Sequence, residues 1–170
     1  MSGWSEYKKT FRSSEDIFQI ARSGDANRLK NFLESNPMTD INQKNHRGYS
    51  PLMISVYNGN YPASRLLLKA GADPNSSDFS GNTVLMGAAF KGDADLVRLL
   101  ISQGASKELK NQEGLTAIDW ANAFGRKNIV SILSILSMKD AQLSKLQNMV
   151  NVAKIIWGFM KPNSRKEATA

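Results

Sequence analysis

The stretch that decides the fold is residues 78–110, DFSGNTVLMGAAFKGDADLVRLLISQGASKELK. Its glycines recur along the chain at one fixed interval. Three registers share this period: Gly48, Gly81 and Gly114, then Gly59, Gly92 and Gly125, and finally Gly71 and Gly104. Because a fixed period of this length is typical of stacked supersecondary units, the sequence predicts a repeat array rather than one globular core.

The same pattern divides residues 14–136 into four units, 14–44, 45–77, 78–110 and 111–136. A complete unit consists of a turn, a short helix, a glycine, a longer helix, a Gly-Ala step and a loop. The first unit lacks the opening turn and the fourth lacks the closing Gly-Ala step, as is common for terminal repeats. Since no unit can bury its apolar faces alone, about three or more must stack to form a core.

These units resemble ankyrin repeats. The helix start of that family is matched by GYSPL at 48–52, GNTVL at 81–85 and GLTAI at 114–118, and its closing pattern by LLKAGADPN at 67–75 and LLISQGA at 99–105. The resemblance implies an all-α ankyrin-repeat solenoid of helix-turn-helix repeats with β-turn tips. The usual histidine of the helix start is replaced by Met53, Met86 and Asp119, so its hydrogen bond to the turn must be replaced or absent.

The flanking segments have patterns of their own. Residues 1–13 place Trp4, Tyr7 and Phe11 on one side of a short helix or arm, which either covers the first repeat or binds a partner. Residues 137–161 predict an amphipathic C-terminal capping helix over the last repeat, with a membrane-surface helix and a partner or dimer helix as alternatives. Pro162 ends that helix, and residues 162–170 are expected to be disordered.

The net charge of +7 is carried mainly by these flanks. Residues 14–136 contain 13 Lys and Arg against 12 Asp and Glu, whereas residues 137–170 contain six basic and two acidic side chains. A DNA-reading domain would more often concentrate its basic residues on one face of the folded part, so the sequence disfavours nucleic acid as a partner.

The chain contains no cysteine and one histidine, which excludes disulfides, thiolate chemistry and histidine-rich metal sites. No phosphate-binding loop, zinc-protease helix or calcium loop occurs in the sequence. We therefore predict no enzyme, no catalytic residues, no metal, no cofactor and no small-molecule substrate. The N-terminus is too polar for a signal peptide, which favours a cytoplasmic protein or one secreted into a host cell without a cleavable signal. The composition is compatible with a bacterial protein.

What remains is an interaction surface. In the family that the chain resembles, partners usually contact the turn tips and the exposed face of each first helix. Carried over by position, the predicted partner-binding residues are His46, Arg47, Tyr49, Tyr57, Asn58, Phe79, Ser80, Asn82, Phe90, Lys91, Gln112, Glu113, Leu115 and Phe124. Six of them are large and apolar or aromatic, which is unusual at solvent-facing positions unless a neighbouring turn or a terminal segment covers some of them.

The resulting functional hypothesis is a protein-protein interaction scaffold that binds a protein partner through the tips and the concave first-helix face. The alternative is a peripheral membrane or nucleic-acid tether that uses the basic amphipathic C-terminal segment.

Overall fold

The computed structural model describes residues 16–160, with side chains described as far as residue 154. This part of the chain is helical, and the chain divides into two units, Met1–Leu133 and Ser134–Ala170. The helices are α1 (Ile17–Ser23), α2 (Ala26–Ser35), α3 (Pro51–Tyr57), α4 (Tyr61–Lys69), α5 (Val84–Lys91), α6 (Ala94–Ser102), α7 (Ala117–Ala123) and α8 (Lys127–Met160). The predicted all-α repeat fold is confirmed.

Short polar side chains start most of these helices. The Asp16 carboxylate accepts from the Phe18 backbone N–H at 3.0 Å, and Ser50 Oγ accepts from the Met53 N–H at 3.2 Å. Asp93 accepts from the N–H groups of Asp95 and Leu96 at the start of α6. Each bond satisfies a backbone donor that the helix itself cannot pair, so these capping residues determine where each helix begins.

The hydrogen bond expected from the missing histidine is replaced in a different way in two repeats. At the start of α5, the Met86 thioether accepts from the Thr83 N–H at 3.3 Å while Thr83 Oγ1 accepts from the Met86 N–H. At the start of α7, the Asp119 carboxylate accepts from both the backbone N–H and the hydroxyl of Thr116. Both arrangements are reciprocal caps, so the position retains its structural role without an imidazole.

The repeats of the first unit stack in two layers. The first helices α1, α3, α5 and α7 contact one another in succession, and the second helices α2, α4 and α6 do the same. Ala88 and Ala89 are fully buried in α5, where their small side chains permit close approach of neighbouring helices. Leu67 and Leu100 are fully buried in the second layer. The core therefore runs continuously from repeat to repeat.

Two asparagines join successive loops by equivalent hydrogen bonds, which we call the asparagine ladder. Asn42 Oδ1 accepts from the Asp73 N–H at 2.8 Å, and Asn42 Nδ2 donates to the Gly71 carbonyl at 3.5 Å. One repeat later, Asn75 Oδ1 accepts from the Ser106 N–H at 2.8 Å and Nδ2 donates to the Gly104 carbonyl at 3.3 Å. Each side chain satisfies one donor and one acceptor of the next repeat.

The fourth repeat differs from the expected boundary. A separate C-terminal helix was expected from residue 137, but α8 runs without a break from Lys127 to Met160. The physical reason is that residues 127–157 contain neither glycine nor proline, so nothing ends the helix after the fourth repeat. The capping role of residues 137–161 stays a prediction, while the arm at 1–13 and the tail at 162–170 lie outside the described residues.

Candidate interaction surface

The turn tips of repeats 2, 3 and 4 (residues 45–49, 78–82 and 111–115) share one internal clamp. Asn45 Oδ1 accepts from the N–H groups of Arg47 and Tyr49 at 2.9 and 3.0 Å. Asp78 makes the same pair of bonds within the third tip, and Asn111 makes it within the fourth. Because the side chain holds two backbone donors at once, each tip has a fixed conformation and presents its outer residues in a defined direction.

Neighbouring tips are also joined to each other. The Gln112 N–H donates to the Ser80 carbonyl at 3.0 Å, and Gln112 Nε2 donates to the Phe79 carbonyl at 2.9 Å. Asn111 Nδ2 donates to Asn82 Oδ1 at 2.8 Å, so these two side chains link the third and fourth tips. The predicted binding residues Asn82 and Gln112 therefore have structural partners within the surface.

In the second repeat, Tyr49 and Tyr57 are half-buried rather than fully exposed. Their rings stack with centroids 6.1 Å apart and planes inclined by 30°. A Cβ at Gly87 would come within 3.1 Å of the Tyr57 ring, which shows how closely that ring covers the next first helix. Burial raises the pKa of the Tyr57 hydroxyl, and the nearby Tyr49 and Asp78 raise it further. Tyr57 is thus neutral at physiological pH.

In the third and fourth repeats, Phe90, Trp120 and Phe124 form an aromatic cluster. Phe90 meets Phe124 edge to face with centroids 4.6 Å apart, and it meets Trp120 edge to face at 6.1 Å. The ring centroids of Trp120 and Phe124 lie 5.8 Å apart. Such pairs add roughly 0.5–1.5 kcal/mol to the effect of burial, so the cluster rigidifies this part of the surface.

Trp120 was missing from the predicted binding residues. It occupies the position of Gly87 one repeat later, and the contact of Phe90 with Trp120 repeats the contact of Tyr57 with Gly87. Tyr57 and Gly87 are separated by the same number of residues as Phe90 and Trp120, and this equal spacing could have identified Trp120 as a contact of Phe90. The exposure expected from its position in the repeat could not have done so. Its indole Nε1 is buried and has no hydrogen-bond acceptor within the described residues.

The six large apolar or aromatic groups fall into two classes. Tyr49, Tyr57 and Phe90 are half-buried by neighbouring rings and by the first helix of the next repeat. Phe79, Leu115 and Phe124 remain 65%, 36% and 49% exposed. Leu115 and Phe124 line a cleft of about 460 Å³ together with Trp120 and polar tip groups, and we call it the tip cleft: its other lining residues are Ser80, Asn82, Asn111, Gln112, Glu113 and Ala123.

The polar members of the predicted set are placed less uniformly. His46 and Arg47 are exposed at the second tip, and Lys91 is exposed at the end of α5. Asn58 is exposed as a residue, but its side-chain amide donates to the Ile54 carbonyl at 2.8 Å, so it caps its own helix. The structure therefore brings six of the predicted residues together around the tip cleft: Ser80, Asn82, Gln112, Glu113, Leu115 and Phe124. Phe79, Phe90 and Lys91 do not line this cleft, and the second-repeat residues lie on a more polar tip.

The Asp119 cap makes stability depend on pH in a defined direction. Hydrogen bonds from the Thr116 hydroxyl and backbone N–H, at 2.6 and 2.9 Å, lower the pKa of Asp119; burial opposes this effect, and the Lys110 charge adds to it. Because the pKa is lower in the folded state, the ionised group stabilises the fold above about pH 4, and this contribution is lost as the pH falls through the folded-state pKa.

We therefore expect Asp119→Asn to lower the urea midpoint at pH 7 and to lower it less at pH 3. The measurement is urea unfolding followed by circular dichroism at both pH values. Glu113→Gln, which removes an exposed carboxylate from the fourth tip, is the matched control. An equal difference between wild type and Asp119→Asn at both pH values would contradict the assigned role of the ionised carboxylate.

Within residues 16–160, no three His, Cys, Asp or Glu side chains are placed to hold a metal ion. The described helices include none with the length and apolarity needed to cross a bilayer.

The stacked two-helix units and their clamped tips define a helical repeat protein, and comparison with known proteins identifies its family. The family model for ankyrin repeats, described as three copies, matches residues 17–111 and 65–145. An ankyrin repeat protein of Rickettsia felis is 34% identical over 62 residues, which cover 36% of this chain and 20% of the relative. The chain thus spans about a fifth of the length of that relative. The chain belongs to the ankyrin-repeat family, whose members generally mediate protein-protein interactions and are generally not enzymes.

Proposed function

We propose that this chain is a non-enzymatic interaction module that captures a protein partner on the tips and first-helix faces of its third and fourth repeats. The observation that carries the proposal is the exposure of Phe79, Leu115 and Phe124 on a part of the surface that is otherwise tightly held. Exposed apolar groups grouped in this way tend to mark interaction sites.

The surroundings of these three side chains support binding in two ways. The clamped tips and the aromatic cluster are already ordered, so a partner need not order them on binding, and this reduces the entropic cost of association. The tip cleft also offers polar groups beside its apolar ones, including Ser80 and Glu113. An apolar anchor on the partner can fill the cleft while polar groups at its rim fix the orientation.

The second-repeat tip contributes charge rather than apolar area. His46 and Arg47 are exposed there, and Lys91 is exposed on the same repeat as Phe90. Charged groups at the edge of an interface mainly increase the association rate and the specificity. We propose that His46, Arg47 and Lys91 steer the partner, whereas the apolar side chains of the third and fourth repeats supply most of the affinity.

The test is the double variant Phe79→Ala with Phe124→Ala. Phe124 is preferable to Phe90 because it is 49% exposed, whereas Phe90 is half-buried and its loss would reduce stability more. A partner recovered by affinity capture with the wild-type chain is purified and titrated against both proteins. We expect the variant to bind more weakly by at least about 2 kcal/mol, or roughly 30-fold, because hot-spot aromatics have effects of this size.

Tyr61→Ala is the matched control. Tyr61 is an aromatic residue of α4, a second helix, and it is 39% exposed. Its replacement should leave the affinity unchanged. Equal binding by the double variant and the wild type, with both folded by circular dichroism, would rule out this surface as the binding site.

A further inference from the structure

The part of α8 between residues 134 and 154 exposes an unusual amount of apolar surface. Seven large apolar side chains of this segment are 48–73% exposed: Ile135, Met138, Leu143, Leu146, Met149, Val150 and Val152. The remaining positions are mostly serine, asparagine, glutamine and lysine. Apolar surface of this extent on a helix indicates that another surface covers it.

Three of these side chains, Leu143, Leu146 and Val150, follow a seven-residue repeat, with Ile135 and Met149 beside it and Met138 and Val152 away from it. If Leu136, Leu143 and Val150 occupy the first (a) position of each heptad, then Leu146 and Ala153 occupy the fourth (d) position. The preceding d position is Lys139, which is the one charged side chain of the a and d seam in this segment. Three heptads of this kind are typical of a helix that packs along a parallel or antiparallel helix of similar length.

We propose that residues 134–154 pair with the same segment of a second copy of this chain, in antiparallel orientation. This inference goes beyond the proposed function, because it concerns α8 and self-association rather than the tip cleft. The segment spans about 30 Å as a helix. A stable association generally buries about 800 Å² on each partner, and the exposed side chains of Leu143, Leu146 and Val150, with Ile135 and Met149 beside them, give each copy apolar area along this length.

The position of Lys139 selects the antiparallel orientation. In a parallel pair, the two Lys139 ammonium groups would occupy the same layer of the seam, where like charges repel at low dielectric constant. In an antiparallel pair, a and d positions face each other, so Leu146 can lie opposite Val150 of the second copy. The two Lys139 residues then lie roughly 27 Å apart along the axis.

The charges beside the seam favour the same register. When Leu146 faces Val150, Asp140 of one copy approaches Lys154 of the other, and the two-fold symmetry produces this contact twice. Asp140 and Lys154 both lie on the polar side of the seam, next to the d positions. A register shifted by one heptad would separate these opposite charges and place Lys139 opposite Val150. The sequence of the segment is thus complementary to itself in one antiparallel register.

The first test is the molecular mass of the full chain in solution, measured by light scattering after size exclusion over a range of concentrations. We expect twice the chain mass of 18.8 kDa for the wild type and a return to 18.8 kDa for Leu146→Glu. Asn148→Glu, on the opposite face of the same helix turn, is the matched control and should remain dimeric. Circular dichroism establishes that all three proteins are folded.

Three results would overturn the proposal. One is a wild-type chain that stays at 18.8 kDa at the highest soluble concentration. Another is a monomeric wild type in which Leu146→Glu lowers the unfolding temperature of the repeats, because the face would then be covered by the same chain. The last is a monomeric wild type that binds anionic vesicles through this segment. None of these results depends on the tip cleft, so the proposed function is tested separately, by the double variant of Phe79 and Phe124.

The second test addresses orientation and uses the absence of cysteine from the chain. We expect that a mixture of Leu146→Cys and Val150→Cys proteins forms mainly the mixed disulfide on mild oxidation, because these positions face each other in the antiparallel register. Lys139→Cys alone should not cross-link to itself. Efficient self-cross-linking of Lys139→Cys would show a parallel pair and overturn the antiparallel arrangement.

Discussion

Replacing Leu100 with alanine is expected to lower the free energy of unfolding of the repeats by about 3–5 kcal/mol. Leu100 is fully buried in α6, which packs against both α5 of its own repeat and α4 of the preceding one. Truncation removes apolar contacts and leaves a cavity that the surrounding helices can fill only in part. Since each repeat depends on its neighbours for burial, the loss should be felt across the whole array.

Leu99→Ala is the matched control for this prediction. Leu99 is the preceding residue of the same helix and is only partly buried. The two variants have the same change in composition and the same change in helix propensity. We expect the control to lose clearly less stability, and urea unfolding followed by circular dichroism measures both. A loss below about 1 kcal/mol for Leu100→Ala would mean that the interface between repeats is not packed as described.

Gly48→Ala is the second variant with a large expected effect, a loss of about 3 kcal/mol in the free energy of unfolding. Gly48 has a φ angle of +79°, which a residue with a Cβ adopts at a cost of roughly 1–2 kcal/mol. A Cβ would also come within 2.8 Å of the Phe79 backbone nitrogen and 2.9 Å of Phe79 Cγ. Because backbone atoms of the next tip cannot move freely, overpacking adds a further loss of about 1–3 kcal/mol.

Gly114→Ala separates these two effects. Gly114 occupies the same place in the fourth tip and has nearly the same φ angle, +77°, but a Cβ there meets no atom within 4 Å. We expect this variant to lose only the conformational part, about 1–2 kcal/mol. Thermal or urea unfolding of both variants gives the comparison. Equal losses would show that the close approach of the second tip to Phe79 contributes nothing.

Much of the fold could be predicted from the sequence because the glycines, the helix-capping residues and the buried leucines all recur with the same repeat period. The helix-starting residues Ser50, Thr83 and Thr116 recur with the same period as the glycines, and each accepts a hydrogen bond from the third residue of its helix. Local hydrogen bonds of this kind depend on a few adjacent residues, so a sequence pattern is sufficient to identify them.

The candidate surface was less predictable because exposure depends on contacts between repeats. From their positions in the repeat, Phe79, Tyr57 and Phe90 are all predicted to be exposed. Of these three, only Phe79 remains largely exposed in the structure. Tyr57 is covered by its packing on Gly87, and Phe90 by Trp120 and Phe124. These partners belong to the following repeat, and their identities change from repeat to repeat. The continuity of α8 across residue 137 likewise does not follow from the repeat pattern, which assigns no end to the second helix of the fourth repeat.

Because of the asparagine ladder, the first and second repeats are joined by the same hydrogen bonds as the second and third. Asn42 and Asn75 offer the same donor and acceptor to the loop that follows, so a duplicated copy of residues 45–77 would meet matching hydrogen-bonding groups on both sides. The next position of the series is Glu108, whose carboxylate can accept but cannot donate when ionised. Duplication of internal units can therefore lengthen this array with the same hydrogen bonds, whereas the equivalent bonds between the third and fourth repeats would require an amide at residue 108.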